Sequence, residues 1–273
     1  MFEKLIMIIT SFFGKLFGKG KDEMNTEPSV IEDCIDHEAS DRLDVFNEVD
    51  ESVSEDVSLS TCDPAEGYVI MVDNGHGKET KGKRSPWCAT KSKPEIEFYE
   101  WSWNRKAAKA IVDRLKSEGY DARLVVTEDT DVTLGERCRR VNKISSENGI
   151  NKTLLISIHA NAAGNGSKWM AARGWSAYTT RGATKADKLC ECLYEEAEKN
   201  FKGMKIRRDW SDGDSDIESD FYILKHTMCP AVLSENFFYD NIEDARYILS
   251  DHGLENVVKT HVDGVKNYLN AII

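Results

Sequence analysis

Short apolar runs alternate with stretches of helical periodicity from residue 68 to the end of the chain. The runs YVIMV, LLISI and AVL predict buried strands, which we place at 68–73, 153–158 and 231–233. Further strands are predicted at 123–126, 174–180 and 221–224, and helices at 97–118, 133–147, 183–200, 242–250 and 254–271. This alternation predicts an α/β fold, a single catalytic domain built as a three-layer sandwich in which helices flank a mostly parallel, mixed sheet.

Polar residues directly follow three of these predicted strands. The first leads into Asp73-Asn74-Gly75-His76-Gly77, the strand at 153–158 into His159, and the strand at 231–233 into Ser234 and Glu235. In open α/β sheets, ligands and catalytic groups gather outside the carboxyl ends of the strands. We therefore expect His76, His159 and Glu235 to lie together at one edge of the sheet.

Two histidines with nearby carboxylates favour a zinc-dependent hydrolase. Catalytic zinc sites usually take three protein ligands and leave one position open, and His76 and His159 supply two. The candidates for the third ligand are Glu95, Glu97 and Glu100, and spacing does not decide among them. Glu235 then remains as the general base, beside water that the metal activates at neutral pH. The competing interpretation of each histidine is a hydrogen-bonded structural role.

Charged residues divide the chain into three unlike parts. Residues 1–21 carry four lysines against one glutamate, whereas residues 22–66 carry sixteen acidic residues against Arg42 alone. Residues 67–273 carry 31 acidic and 31 basic residues, so the net charge of −12 arises from the middle part. We interpret residues 22–66 as a disordered acidic linker, because such a composition cannot bury enough apolar surface to fold. Residues 67–273 then form the catalytic domain.

Residues 1–21 have the spacing of an amphipathic helix. Their large apolar residues recur at intervals of three and four, which gives one apolar face. The uninterrupted apolar run, Leu5 to Ile9, is too short to span a bilayer, and no clear signal-peptide cleavage site follows it. We predict a helix that lies in the membrane interface. The alternative is a helix that packs on the catalytic domain or on another chain.

Other polar features do not indicate further sites. Seven cysteines at irregular spacings form no C-x-x-C motif, so we predict core thiols rather than a zinc ribbon. Residues 212–220 are rich in acids, but Ile223 occupies the twelfth position, where an EF-hand needs glutamate. We predict a solvated acidic loop there. No nucleotide fingerprint is present, and we expect no nucleic-acid partner.

Five motifs occur in order between residue 68 and about residue 250. They are Asp73-Asn74-Gly75-His76-Gly77; Glu100 with Asn104; Thr127 and Asp131 followed by Leu134, Arg137 and Asn142; Ser157-Ile158-His159-Ala160-Asn161-Ala162; and Pro230 to Leu233 with Glu235 and Phe238. Together they resemble the zinc-dependent N-acetylmuramoyl-L-alanine amidases of the cell-wall hydrolase group. The departures are Asn74 in place of the usual proline, Lys78 in place of glycine, and Asn236-Phe237 after the glutamate. None of them removes a ligand.

The resemblance implies that His76, Glu100 and His159 bind Zn²⁺ and that Glu235 is the catalytic base. The implied substrate is peptidoglycan, cleaved at the amide between the lactyl group of N-acetylmuramic acid and the L-alanine that begins the stem peptide. The alternatives are a zinc peptidase that cuts within the stem and a non-catalytic module that binds wall fragments. We expect action at the cell envelope, as a host enzyme or as a phage-encoded lysis enzyme.

Overall fold

The computed structural model describes residues 66–86, 96–211 and 213–272. The predicted amphipathic segment, nearly all of the acidic linker, and Glu95 lie outside these residues. The interfacial helix, the disordered linker and the domain boundaries therefore stay predictions.

Six strands form one sheet in the order β2-β1-β3-β6-β4-β5 within the described residues. Their bounds are β1 Val69–Asn74, β2 Asp121–Leu124, β3 Thr153–Asn161, β4 Ser176–Thr179, β5 Ile217–Glu218 and β6 Ala231–Phe238. β1 pairs in parallel with β2 and β3, and β3 pairs in parallel with β6. β4 runs antiparallel to β6, so the sheet is mixed. The predicted mostly parallel, mixed sheet is confirmed.

Six α-helices accompany the sheet in the described part of the chain. Their bounds are α1 Glu100–Ser117, α2 Leu134–Asn148, α3 Lys185–Asn200, α4 Tyr222–Lys225, α5 Ile242–Leu249 and α6 Asp251–Ile272. Local signals set several helix starts. The Thr133 hydroxyl accepts a hydrogen bond from the Glu136 amide at the start of α2, and Thr184 and Asp187 form a capping box at the start of α3.

The central strands are buried on both faces, and successive residues face different cores. Ile70 and Val72 belong to the core that α1, α3 and α6 cover. Val69 and Met71 belong to the second core, which α2 and α4 cover. Strands buried on both faces are typical of parallel sheets between helical layers. The predicted three-layer sandwich is confirmed.

The strand prediction for Phe221–Leu224 is wrong, because this segment forms the short helix α4. The amides of Leu224 and Lys225 both donate to the Phe221 carbonyl, as in a helical turn. Ile223 and Leu224 are buried whereas Tyr222 is 43% exposed. A run of four apolar residues is too short for its periodicity to separate a strand from a helical turn.

The prediction of a solvated acidic loop is wrong for Asp216. This residue is buried, its carboxylate accepts a hydrogen bond from the Thr179 hydroxyl, and burial raises the pKa of its carboxyl to about 7. The next two residues form β5, which pairs with β4 at the edge of the sheet. A two-residue strand leaves no periodic pattern in the sequence, so this edge was not predicted.

The remaining structural predictions concern cysteines and histidines. Of the seven cysteines, Cys138, Cys190, Cys192 and Cys229 are described, and all four are buried free thiols, as predicted. His261 is fully buried, with its ring nitrogens beside the Val257 carbonyl and the Ser234 hydroxyl.

Among the described helices, none combines the length and the apolar character needed to cross a membrane.

Candidate metal centre

Three side chains from three different elements meet at the carboxyl ends of β1 and β3. His76 follows β1, Glu100 opens α1, and His159 lies near the end of β3. One carboxylate oxygen of Glu100, Oε1, lies 3.2 Å from His76 Nε2 and 3.1 Å from His159 Nδ1. One potential ligand atom from each residue lies within 4.8 Å of the others. The structure thus brings both predicted histidines to Glu100, and Glu97 is not part of this cluster.

Several polar atoms of the cluster are shielded from solvent without a hydrogen-bond partner. They include His76 Nε2, Glu100 Oε2 and Glu235 Oε2. The distance from His76 Nε2 to Glu100 is short, but its direction does not satisfy a hydrogen bond. Buried polar atoms are nearly always paired in native proteins, and two imidazoles with a carboxylate form a common zinc ligand set. The donor set therefore fits a divalent metal such as zinc.

His76 has a left-handed backbone conformation, with φ of 65°. This conformation is uncommon for a residue with a side chain, and two arginines stabilise it. The guanidinium groups of Arg105 and Arg137 both donate to the His76 carbonyl, at 3.0 and 3.1 Å. Gly75 is required for a different reason, because a Cβ at that position would lie 2.0 Å from the His159 ring. The glycine lets the two histidines share one site.

Arg137 anchors this segment from the core. It is 2% exposed, and its Nη1 donates to Asp73 Oδ1 at 2.7 Å and to the Asn74 carbonyl at 2.6 Å. The other Asp73 oxygen accepts a hydrogen bond of 2.7 Å from the Ser157 hydroxyl on β3. This buried network links the end of β1 to α2 and to β3, and so fixes the position of His76.

We expect Arg137→Met to lower the free energy of unfolding by about 3–5 kcal/mol, because it leaves the buried Asp73 carboxylate without its cation. Chemical denaturation of the metal-free protein measures this effect. The matched control is Arg139→Met on the same helix, where an exposed arginine pairs with Glu136. The control should change stability far less, since exposed ion pairs contribute little. Equal effects of the two substitutions would contradict a special role for Arg137.

Glu235 lies beside His159 in the sheet, because these two residues are paired in the register of β6 and β3. The register shifts just beyond this pair, and Phe237 has φ of 67°, which marks a bulge. Asn236 then turns inward. Its amide group donates to the His159 carbonyl at 2.9 Å and accepts from Trp175 Nε1 at 3.0 Å. The bulge and this amide hold Glu235 next to the histidine.

Burial and the neighbouring charges shift the pKa values of all four residues of the site. Burial disfavours the charged form of Glu100, but the two imidazoles outweigh it and hold the pKa of this carboxyl well below its usual range. Burial lowers the pKa of His76. Burial also lowers the pKa of His159, but Glu100 outweighs this effect, so the net shift is upward. Burial raises the pKa of Glu235 to about 7, although His159 acts in the opposite direction. The two carboxyls of the site are therefore shifted in opposite directions, the pKa of Glu100 downward and that of Glu235 upward.

Two basic residues of the site were not singled out from the sequence. Arg105 follows the motif residue Asn104 and supports His76, whereas Lys83 lies in the loop after β1. Lys83 Nζ is 3.7 Å from Glu100 Oε2, and the Lys83 carbonyl accepts a hydrogen bond from the Glu100 amide. The sequence places Lys83 in a polar loop that contains glycines. Such a loop does not indicate which of its residues lies next to α1.

Two motif residues outside the cluster, Asn104 and Asn142, have structural roles. Asn104 donates to the Gly75 carbonyl at 3.2 Å, which ties α1 to the histidine segment. Asn142 donates to the His226 carbonyl at 2.7 Å and accepts from the Met228 amide at 2.8 Å, which orders the turn before β6.

Comparison with known proteins decides the family. The family model described as N-acetylmuramoyl-L-alanine amidase matches residues 70–267, which is most of the chain. The chain belongs to this family. The family resemblance stated from the sequence motifs is thereby confirmed.

The relatives of this amidase-family chain include phage and bacterial proteins. An endolysin of Bacillus phage SPP1 is 27% identical over 74% of this chain and 66% of its own length. The N-acetylmuramoyl-L-alanine amidase LytC of Bacillus subtilis is 27% identical over 80% of this chain, but the match spans only 38% of LytC. Among solved structures, the N-acetylmuramoyl-L-alanine amidase of Clostridium difficile 630 aligns with a TM-score of 0.60 and 26% identity. That alignment covers 75% of this chain and 97% of the other.

Proposed function

We propose that this chain is a zinc-dependent peptidoglycan hydrolase that cleaves the amide between N-acetylmuramic acid and the first L-alanine of the stem peptide. Membership of the amidase family supports the reaction. The observation that supports the metal is the convergence of ligand atoms of His76, Glu100 and His159 within 4.8 Å, with buried atoms left unpaired. When bound there, zinc supplies a Lewis acid that polarises the scissile carbonyl and activates water at neutral pH.

The residues of the site would have three roles: metal binding, positioning of a ligand, and proton transfer. His76, Glu100 and His159 would hold the metal, and Arg105 and Arg137 would keep His76 in place. Glu235 is the proposed general base, and its carboxyl would take a proton from the attacking water and then deliver it to the leaving nitrogen of L-alanine. Glu235 is placed for this role by its pairing with His159 in the sheet, and in the metal-free site burial raises the pKa of its carboxyl to about 7.

Digestion of purified sacculi tests the proposal. The full-length protein with zinc should release stem peptides that carry a free amino group on L-alanine, and mass spectrometry identifies these ends. Glu235→Gln protein with the same zinc content serves as the control and should release these peptides at least about 100-fold more slowly. Cuts confined to bonds within the stem would assign the chain to the zinc peptidases instead. Binding to sacculi without release of any peptide would support a non-catalytic module.

The relatives also bear on where the protein acts. They include a phage endolysin and cell-wall amidases, so action at the cell envelope is consistent with both kinds of relative. We propose peptidoglycan as the partner of the catalytic domain. Membrane attachment through residues 1–21 remains a separate prediction, which fusion of residues 1–25 to a soluble reporter would test.

A further inference from the structure

A basic cleft of about 370 Å³ adjoins the candidate metal centre. It is formed by the loop after β1 and by the start of α1, and its basic and aromatic lining residues are Lys78, Lys81, Lys83, Arg84, Tyr99 and Trp101. We refer to these six residues as the basic cleft. Among the described residues that line it, the one acid is Glu79, whose carboxylate accepts a hydrogen bond of 3.0 Å from the Asp131 amide. The cleft therefore presents a surplus of positive charge.

This surplus is local rather than a property of the whole domain, because residues 67–273 carry equal numbers of acidic and basic residues. A second cleft, between α3 and residues 213–216, has the opposite character, with six acidic residues in its lining. The two clefts therefore differ in the sign of the charge that predominates in their linings. Of these two clefts, the basic cleft is the one whose described lining includes a residue beside the metal centre, Lys83.

Lys83 connects the basic cleft to the metal centre. Its ammonium group lies 3.7 Å from Glu100 Oε2, its side chain is 41% exposed, and the residue lines the cleft. The backbone hydrogen bond between Glu100 and Lys83 fixes the distance between the cleft wall and the cluster. If the scissile amide is held at the metal centre, the substrate groups next to that amide would therefore lie against this cleft.

We propose that the basic cleft binds a carboxylate of the peptide that leaves in the reaction, so that the free α-carboxylate of the second stem residue selects the substrate. This inference rests on the proposed function. In the glycan strand, the lactyl carboxyl of N-acetylmuramic acid is bonded to L-alanine in the scissile amide and is not free. The free carboxylates of the substrate therefore lie on the stem peptide. Two residues of extended chain span at most about 7 Å, which is short enough for a second-residue carboxylate to reach a cleft that begins at Lys83.

Two muropeptides that differ in one group test the inference. Both carry a tripeptide stem that ends in an amide, and the second residue is D-glutamate in one and D-isoglutamine in the other. Full-length zinc-loaded protein should hydrolyse the acid with a kcat/KM at least about fivefold above that of the amide, which is the scale of an exposed charge pair. The preference should shrink between 50 mM and 500 mM salt, because exposed charges are screened.

Variants locate the preference in the cleft. Lys81→Gln and Lys83→Gln should each reduce the ratio of the two kcat/KM values toward one. Lys202→Gln, which changes an exposed lysine beyond α3 and outside the cleft, should leave the ratio unchanged. A change that only disturbs Glu100 or the fold would lower both kcat/KM values together without altering their ratio. Lys81, which does not contact the metal cluster, keeps the test independent of that cluster.

The outcomes separate the inference from the proposed function. Equal hydrolysis of the acid and the amide, or a preference for the amide, would overturn the inference and leave the amidase function intact. A preference for the acid that survives in both cleft variants would also overturn it. Failure to hydrolyse either muropeptide would overturn the proposed function and the inference together.

Discussion

Replacing Glu235 with glutamine should lower kcat by about 10²–10⁴-fold, which is the usual contribution of a positioned general base. Glutamine has the same size and keeps a hydrogen-bonding group beside His159, but it cannot accept and return a proton. Glu235 is not one of the three residues whose ligand atoms cluster, so the variant should bind zinc as the wild type does. Initial rates on a soluble muropeptide and elemental analysis of the same samples measure both quantities.

Two comparisons make the Glu235 result decisive. Glu191→Gln removes an exposed carboxylate on α3 and should leave kcat unchanged, which controls for the loss of one negative charge. Glu235→Asp keeps an acid but withdraws it from the site, so an intermediate kcat is expected. If Glu235→Gln retains more than about a tenth of the wild-type kcat, Glu235 is not the general base. If it loses zinc as well, its role is to support the metal site rather than to transfer a proton.

The sheet could be predicted from the sequence because its central strands are buried on both faces. β1, β3 and β6 appear as predominantly apolar runs, since helices cover both sides of the sheet. The antiparallel direction of β4 could not be predicted, because strand direction depends on the path of the chain between strands. The two-residue β5 was missed for a different reason. Its position follows from pairing with β4, and two residues carry no pattern of their own.

The candidate site was predicted only in part. His76, His159 and Glu235 follow apolar runs, and the rule that functional groups gather at the carboxyl ends of parallel strands brings them together. Spacing could not choose among the acids before α1, and the motif match was needed to favour Glu100. The structure supplies the physical reason, since α1 begins at Glu100 and the Glu100 carboxylate lies 3.2 Å from His76 and 3.1 Å from His159. The ligand roles themselves remain predictions.

Arg105 and Arg137 show why a sequence motif does not reveal how its residues contact one another in the folded site. Arg137 belongs to a motif, yet its burial against Asp73 and its hydrogen bond to His76 depend on how α2 packs on β1. Arg105 reaches the same carbonyl from α1. Both arginines therefore act on a backbone conformation, the left-handed turn at His76, that no sequence pattern specifies. Side chains that act on the backbone across elements are visible only once the elements are in place.

His76→Ala and His159→Ala should each reduce zinc affinity by more than the roughly 10–100-fold that is lost when an outer partner of a metal ligand is removed. Each substitution leaves two ligands, which is too few for a typical catalytic zinc site. Zinc content after dialysis and competition with a chromogenic chelator measure the change. Glu100→Gln should behave similarly, whereas Glu97→Gln is the matched control on the same segment and should keep its zinc, because Glu97 instead accepts a hydrogen bond from Tyr99.

Stability provides a second readout of the same ligand set. A metal that binds only the folded state stabilises it by about 2.7 kcal/mol when its concentration is one hundred times the dissociation constant. Added zinc should therefore raise the melting temperature of the wild type and of Glu97→Gln, but not that of His76→Ala or His159→Ala. This comparison is made within each variant, so any loss of intrinsic stability cancels. If both histidine variants retain one equivalent of zinc and its stabilising effect, the assignment of His76 and His159 as ligands is wrong.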